Sequence, residues 1–463
     1  MFNIENDDTI VALSTASGKG AIAVVRLSGN ACLTIINKIF NKKIKKEDHH
    51  KIFPGEIHSS SDNRLVDQVV VSYFKAPQSY TGEDVIEISC HCNNFIIEQI
   101  ISEVVISGAR VAQPGEFTKR AFLNHKMDLS QAEAVAGIIE AKTRQGLVYS
   151  LRQLEGGLSD RINSMKNQIL DLASLIEVSL DFNEGDISVY KKEEVVEKAK
   201  VIIEAIENLI NTYNYGRLLN EGMKILLLGK PNVGKSSLLN LFLEKERAIV
   251  SEIPGTTRDY IEGFSQIDGI PIQIIDTAGI RETLDKIEDI GVQRGLEHIQ
   301  SADIILALFE AHKSLDADDL NLIKVIERLN STVPVILVLN KHDLGLNAKA
   351  EEKLSVCNLP LIKISAKNKK NIDLLKKQIK DYLIKESIDE SEEIVISHSR
   401  QKDALVKTRS AMHAFLSGIK SNFDEAVLAA DLRNALDYIG QIVGETTPDD
   451  LLNNIFGQFC IGK

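Results

Sequence analysis

No run in the sequence approaches the ~20 consecutive apolar residues that a membrane-spanning helix requires, so a helical membrane protein is excluded. Cysteine is scarce: Cys32, Cys90, Cys92, Cys357 and Cys460 are odd in number and scattered, so no disulfide framework is expected and a reducing compartment fits. The opening MFNIENDDTI is acidic where a secretory leader would be basic and then apolar, and the expected address is cytoplasmic. A basic surplus is missing too. The formal net charge of −12 argues against a chain that coats nucleic acid without specificity, while leaving room for a local basic face. Metal-ligand pairs are equally sparse. Cys90-His91-Cys92 has no second pair to complete a zinc set, and no metal is expected there.

What is present points to several domains. A chain of 463 residues with 44% hydrophobic and 26% charged residues is ordinary globular material, too long for one core and sufficient for two to four. The densest chemical signal is KILLLGKPNVGKSS at 224–237. Its first five residues are nearly all apolar, as in a strand buried on both faces of a parallel sheet. They run into Gly229-Lys-Pro-Asn-Val-Gly234-Lys235-Ser236, a Gly-x4-Gly-Lys-Ser loop, and then into an amphipathic segment from Ser237. Strand, glycine loop and helix make a phosphate site. The glycines let backbone N–H groups curl around phosphate oxygens, and the helix N-terminus adds unpaired donors and a positive dipole end. Lys235 would reach the β- and γ-phosphates, and the Ser236 hydroxyl would ligate Mg²⁺.

Four later stretches select the nucleotide. Asp276-Thr277-Ala278-Gly279 follows the apolar run 272–275, so Asp276 can hold Mg²⁺ through water and the Gly279 N–H can sense the γ-phosphate. Asn340-Lys341-His342-Asp343 ends the run 335–339. A carboxylate there accepts both N–H groups of the guanine N1/N2 edge, a pair that adenine lacks, so Asp343 selects GTP. Ser365-Ala366-Lys367 follows 361–364 and would support the ring. In Gly255-Thr256-Thr257-Arg258-Asp259, Thr257 is the second Mg²⁺ ligand. Order and spacing match a GTP-binding domain of the small-GTPase type. One residue is absent: where Ras-like enzymes carry a water-orienting glutamine, this chain has Ile280. The acidic residues Glu282, Asp285, Glu288 and Asp289 offer replacements. No arginine finger is evident, and Asn232 could ligate a monovalent cation between the phosphates, where positive charge is needed.

Around this domain the patterns change. Residues 1–120 read as mixed α/β, with strands at 9–13, 22–27, 69–74 and 85–89 and a helix at 97–107. The lysine run 42–46 reads as a solvated loop. Residues 121–217 are helical. One stripe is Ile162, Met165, Ile169, Leu172, Ile176 and Leu180; a second is Val195, Ala199, Ile202, Ile206, Leu209 and Tyr213. The G domain spans 222–385, and an acidic linker leads to helices over 394–463. Thr447 is expected as N-cap with Pro448 at the first helical position, and Gly457 as the end of that helix. The expected fold is multidomain α/β: an N-terminal mixed α/β domain, a discontinuous helical bundle over 121–217 and 394–463, and an inserted Ras-like P-loop GTPase domain.

The chain resembles the MnmE/TrmE family of tRNA-modification GTPases over essentially its whole length. The resemblance is carried by Asp8-Thr-Ile-Val11, Val25-Arg26-Leu-Ser-Gly29, Ser79-Tyr-Thr-Gly-Glu83-Asp and Pro114-Gly-Glu-Phe117. It continues in Arg120-Ala-Phe-Leu-Asn124, Leu129-Ser-Gln-Ala-Glu133-Ala, the G motifs and the terminal Phe459-Cys-Ile-Gly-Lys463. Cys92-Asn93-Asn94 departs from the family's usual Cys-His-Gly-Gly, a place where side chains disfavour φ > 0.

The resemblance implies a homodimer joined through an N-terminal domain that binds a 5-formyl- or methylene-tetrahydrofolate one-carbon donor. Its folate contacts fall on Arg26, Glu87, Lys126 and Lys463. It implies a flavin-dependent GidA/MnmG-family partner, in a heterotetramer, and C5 modification of the tRNA wobble uridine to aminomethyl or carboxymethylaminomethyl forms. It further implies GTPase domains that dimerise with potassium, held among Asn232, Ser251, Ile253 and Thr256, and Glu288 as the acid that orients water. The implied GTP contacts are Asn232, Val233, Gly234, Lys235, Ser236, Ser237, Ser251, Glu252, Ile253, Pro254, Gly255, Thr256 and Thr257. They continue with Asp276, Thr277, Ala278, Gly279, Asn340, Lys341, His342, Asp343, Ser365 and Ala366. Cys460 is either a modification residue or an incidental thiol. The G motifs alone would also fit an Era- or EngA-like switch in ribosome assembly or RNA binding, against which stands the lack of a recognisable KH or other RNA-binding module after the G domain.

Overall fold

The computed structural model describes residues 8–16, 18–181, 190–245, 262–276, 302–329, 333–383 and 394–462. In chain order they begin with β1 (Ile10–Leu13), β2 (Ile22–Ser28), α1 (Cys32–Ile39), β3 (Ile52–His58), β4 (Leu65–Phe74), β5 (Val85–His91), α2 (Asn94–Ile106) and β6 (Arg110–Val111). Helices follow: α3 (Glu116–Leu123), α4 (Leu129–Glu140), α5 (Arg144–Leu154), α6 (Gly157–Asp181), α7 (Lys192–Asn211) and α8 (Tyr213–Glu221). Next come β7 (Met223–Gly229), α9 (Lys235–Lys245), β8 (Glu262–Ile267), β9 (Ile270–Asp276), β10 (Ile304–Glu310), α10 (Ala317–Leu329), β11 (Val335–Asn340), α11 (Ala348–Ser355), β12 (Leu361–Lys363) and α12 (Ile372–Leu383). Three helices follow these, α13 (Ser399–Lys420), α14 (Glu425–Val443) and α15 (Asp449–Gly457). The chain divides into two compact units, one of residues 1–136, 153–170 and 433–463, the other of 137–152 and 171–432.

The first unit is built on a sheet of order β3-β4-β5-β2-β1-β6, antiparallel except for the parallel pair β1–β6. Ala23, Val25 and Leu27 of β2 and Ile86 and Ile88 of β5 point to one face, where Ile35 and Ile36 of α1 and Ile100 and Val104 of α2 cover them. By the period of two along a strand, Arg26 and Glu87 lie on the other face, directly opposite each other in the β2–β5 register. Strand β3 contains Pro54-Gly55, which the sequence presents as a breaker. It survives because β3 is the outer strand, where a proline sacrifices no ladder bond. Asn93 takes φ −129° and its side chain accepts the Phe95 N–H as the cap of α2, so the Asn93-Asn94 replacement supplies a helix start instead of a strained turn. Lys42, Lys43, Lys45 and Lys46 are exposed around a buried Ile44.

Helix α15 completes this unit. Phe456 and Leu452 pack with Phe459, Leu129 and Phe122, and Pro114 forms a β-bridge with Ile461. Gly115, at φ 66°, starts α3 where an added Cβ would run into the Phe456 carbonyl. Helix α15 starts at Asp449 and not at Pro448, which stands outside it at ψ 146°. Proline fixes φ but leaves ψ free, and the Thr447 hydroxyl donates to Gln441 O.

The second unit holds a sheet of order β12-β11-β10-β7-β9-β8, parallel except for the antiparallel β8–β9 pair. Its inner strands are apolar almost throughout because both faces are covered. Ile225, Leu227, Leu306 and Val338 enter one core; Leu226, Ile305, Ala307 and Leu337 enter the other. Helices from before and after this sheet pack together, α7 against α13, with Arg409 and His413 approaching Glu207 and Lys192 donating to Lys420 O. The second apolar stripe does not run through to Tyr213. Helix α7 ends at Asn211 and Tyr213 opens α8, with the Thr212 hydroxyl turned back onto Leu209 O. Among the described residues no helix is long and apolar enough to cross a membrane.

Candidate functional site

In the second unit the ends of β7, β9, β11 and β12 bring the sequence motifs together. Strand β7 ends on Gly229, and the loop then turns through Asn232 at φ 64° and Gly234 at φ 103° before α9 begins at Lys235. A Cβ on Gly234 would collide with the Asn340 amide, so only glycine lets the phosphate loop close against the base motif. Val233 is fully buried and anchors the loop, while Ser236 and Ser237 are exposed in the first turn of α9. Lys235 is buried and folds back along the loop, its Nζ donating to Gly229 O at 2.9 Å and Lys230 O at 3.0 Å.

Asn340 is 1% exposed and uses both ends of its amide: Nδ2 donates to Val233 O at 2.8 Å, and Oδ1 accepts Ala366 N–H at 3.0 Å. One side chain thereby ties the phosphate loop, the Asn-Lys-His-Asp motif and the Ser-Ala-Lys motif. Asp343 is exposed, and its Oδ1 accepts the Ser365 hydroxyl at 2.6 Å; that bond holds the carboxyl below its ordinary range. Ser365 Oγ accepts Asn368 N–H in turn, which fixes the hydroxyl's direction. His342 is exposed with its N–H on Ile364 O. Asp276 ends β9 beside Leu227 of β7. A glycine loop that leads into a helix N-terminus, a lysine and an oriented carboxylate are the parts needed to hold a nucleotide's phosphates and its guanine. Ser236 and Ser237 present their hydroxyls at the N-terminus of α9. Ser251, Glu252, Ile253, Pro254, Gly255, Thr256, Thr257, Thr277, Ala278, Gly279, Ile280, Glu288 and Lys463 lie outside the described residues.

In the first unit Arg26 and Glu87 meet directly: Nε lies 2.9 Å and one terminal nitrogen 2.8 Å from Glu87 Oε1. The guanidinium also stacks over Tyr80 at 5.1 Å and Phe117 at 5.8 Å, with Tyr80 Oη 2.9 Å from Thr118 Oγ1. Tyr80 and Phe117 sit inside stretches that carry the family resemblance, but nothing in their spacing reveals that they flank Arg26. Lys126 Nζ donates to Pro77 O at 3.1 Å, and Gly462 O accepts the Ser14 hydroxyl, which lays the tail along β1. Cys460 is exposed, its carbonyl near Gly115 N. His91 Nδ1 lies 2.7 Å from Asp67 Oδ1, and Cys90 and Cys92 donate to Ala23 O and Gly18 O. Among the described residues no three His, Cys, Asp or Glu side chains converge to hold a metal.

Residues 9–126 match the family described as GTP-binding protein TrmE N-terminus, and residues 129–460 match the MnmE helical domain. The chain belongs to the MnmE family. It is 41% identical over 462 residues to the tRNA modification GTPase MnmE of Thermoanaerobacter pseudethanolicus, spanning 98% of this chain and 99% of that one. The MnmE of Clostridioides difficile is 41% identical, with 99% of both chains covered, and that of Carboxydothermus hydrogenoformans 40% identical over 463 residues. The G domain of the T. maritima FeoB iron transporter aligns with 35% of this chain and 98% of its own, at 23% identity and a TM-score of 0.26. The GTPase fold of this MnmE-family chain rests on its own strand order and phosphate loop.

Proposed function

We propose that the chain is the GTP-hydrolysing component of a tRNA wobble-uridine modification system, acting at C5 to help form 5-carboxymethylaminomethyluridine. The observation that carries this reading is the Asn340 amide, which joins a phosphate loop to a guanine-reading carboxylate in a chain of the MnmE family. Residues 222–385 form the GTPase domain. Lys235 neutralises phosphate charge, and Ser236 and Thr257 hold Mg²⁺. Asn232, Ser251, Ile253 and Thr256 hold K⁺, and Glu288 orients the attacking water in place of the glutamine that Ile280 replaces. When bound, the cations supply positive charge where negative charge grows between the β- and γ-phosphates.

Residues 1–120 form the folate-binding and dimerisation domain. Arg26, Glu87, Lys126 and Lys463 hold the tetrahydrofolate, which supplies a one-carbon unit. The guanidinium of Arg26, held against Glu87 and near the Tyr80 and Phe117 rings, supports this role, since its planar fork suits a flat heterocycle or a carboxylate. Partners are a second copy of the chain, a flavin-dependent GidA/MnmG-family protein and tRNA, in the cytoplasm. Cys460 is the candidate thiol for the modification chemistry. The deciding experiment is nucleoside analysis of tRNA from cells that lack the protein. Loss of the C5 modification at the wobble uridine is expected, and unchanged levels of that modification would favour an RNA-binding switch instead.

A further inference from the structure

Two lysines of the nucleotide motifs are held from outside those motifs. Lys230, the second residue of the phosphate loop, sets its Nζ 2.7 Å from Asp319 Oδ2 and 2.5 Å from Asp316 Oδ2. Asp319 is 5% exposed in the first turn of α10, and its Oδ2 also accepts Asp316 N–H at 3.2 Å. Lys341 of the base motif takes the left-handed φ of 61° and sets its Nζ 3.1 Å from Oε1 of Glu310, the last residue of β10. Lys313 Nζ lies 2.9 Å from the other Glu310 oxygen. Strand β10 lies between β7 and β11 in the sheet, so the segment leaving it borders the loops that follow both neighbours.

We propose that Glu310 and Asp319 are positioning residues for guanine nucleotide: Asp319 fixes the phosphate loop through Lys230, and Glu310 fixes the base loop through Lys341. Both loops contain backbone that a free chain visits only part of the time, Asn232 and Lys341 being non-glycine residues at positive φ. A site whose competent conformation is only partly populated binds more weakly by that fraction. An ion pair raises the fraction when one partner is already removed from solvent, because releasing the lysine would leave a buried carboxylate uncompensated. Asp319 meets that condition directly. Glu310 meets it through its position at the end of a buried strand, where its second oxygen makes no hydrogen bond among the described residues and has the Lys313 charge beside it.

This inference rests on the guanine-nucleotide reading of the site. The test displaces fluorescent GDP from the full-length chain, with Mg²⁺ present, using GDP, GTP or inorganic tripolyphosphate, which has no base. Glu310→Gln and Asp319→Asn should each weaken GDP and GTP about tenfold, the worth of a charge-assisted hydrogen bond. Asp319→Asn should weaken tripolyphosphate as well, whereas Glu310→Gln should leave it within roughly twofold of wild type. A general loss of packing could not produce that split, because it would weaken all three competitors alike. Glu310→Asp, which keeps the charge, should recover most of the lost GDP affinity. If Asp319→Asn does not fold, Lys230→Met reports the same pair from the other side. GDP affinities unchanged in both variants, or an equal loss of tripolyphosphate in both, overturn the inference while leaving the function standing. A wild-type chain that binds no guanine nucleotide overturns both.

Discussion

At the scale of single residues the site depends on groups that are held before any ligand arrives. Asp343 is exposed, yet its direction is set by Ser365, itself fixed by Asn368 N–H. Asp343→Asn should cost ~2–4 kcal/mol of GTP affinity, because a guanine donor would then face an amide donor, and should raise affinity for xanthosine triphosphate. Isothermal titration with both nucleotides checks this, and unchanged GTP binding would place base reading elsewhere. Lys235 and Asp343 were legible in the sequence because each sits at a fixed offset from glycines or from the end of an apolar run. Glu310 was not. An acid that ends an apolar strand looks like any solvated charge until the parallel β10–β11 pairing sets Glu310 opposite Asn340, next to Lys341. Tyr80 was hidden for the same reason, since only the folded chain stacks it on Arg26.

At the scale of elements, the packing of α3 depends on charge. Glu116 is 4% exposed and accepts from Arg110 at 2.8 and 2.5 Å, from Arg120 at 3.0 Å and from Gln113 N–H at 2.8 Å. Burial alone would raise its pKa, but these donors outweigh it and hold the carboxyl below its ordinary range. A folded-state value below the unfolded one means that the contribution is complete above the unfolded carboxylate pKa of ~4.3 and is lost as pH falls through the folded value. Thermal unfolding should therefore show a steep loss of stability of the first unit below about pH 4. Glu116→Gln should already lose ~1.5–3 kcal/mol at pH 7, the worth of its charged hydrogen bonds, since Arg110 keeps Asp8 and Arg120 keeps Asp8 and Glu83, and should flatten the acid dependence. A variant with the wild-type slope would assign the acid loss to other carboxylates. Element signals in the sequence were uneven. The stripes of α6 and α7 are long and periodic and emerged clearly. Strand β3 did not, because Pro54-Gly55 reads as a stop unless the strand is known to lie at an edge.

At the scale of the whole molecule the helices on both sides of the GTPase sheet were legible as partners, since apolar stripes on each side need covering and α7 and α13 cover one another. Hydrolysis involves the whole molecule and more, because the proposed mechanism needs two chains. K⁺ should stimulate GTP hydrolysis at least ~10-fold over Na⁺, a small part of the ~10³–10⁵ that an arginine finger contributes. Asn232→Ala should abolish the stimulation, and Glu288→Ala should keep K⁺-dependent association yet lose turnover. Equal steady-state rates in matched KCl and NaCl would end this mechanism. The threading of the first unit has a further consequence, one of timing. That unit draws on residues up to 136, on 153–170 and again on residues beyond 432, so about three hundred residues separate its first block from its last. At ~5–20 residues per second a ribosome needs roughly 15–60 s to deliver α15 after α4 has emerged. Throughout that interval Phe122 and Leu129 have no Phe456 or Phe459 to pack against, while the nucleotide sheet, synthesised between them, already has all its strands. The GTPase sheet therefore has all its strands while the apolar cluster around Phe122 and Leu129 stays unfinished, until residues 449–459 arrive to close it.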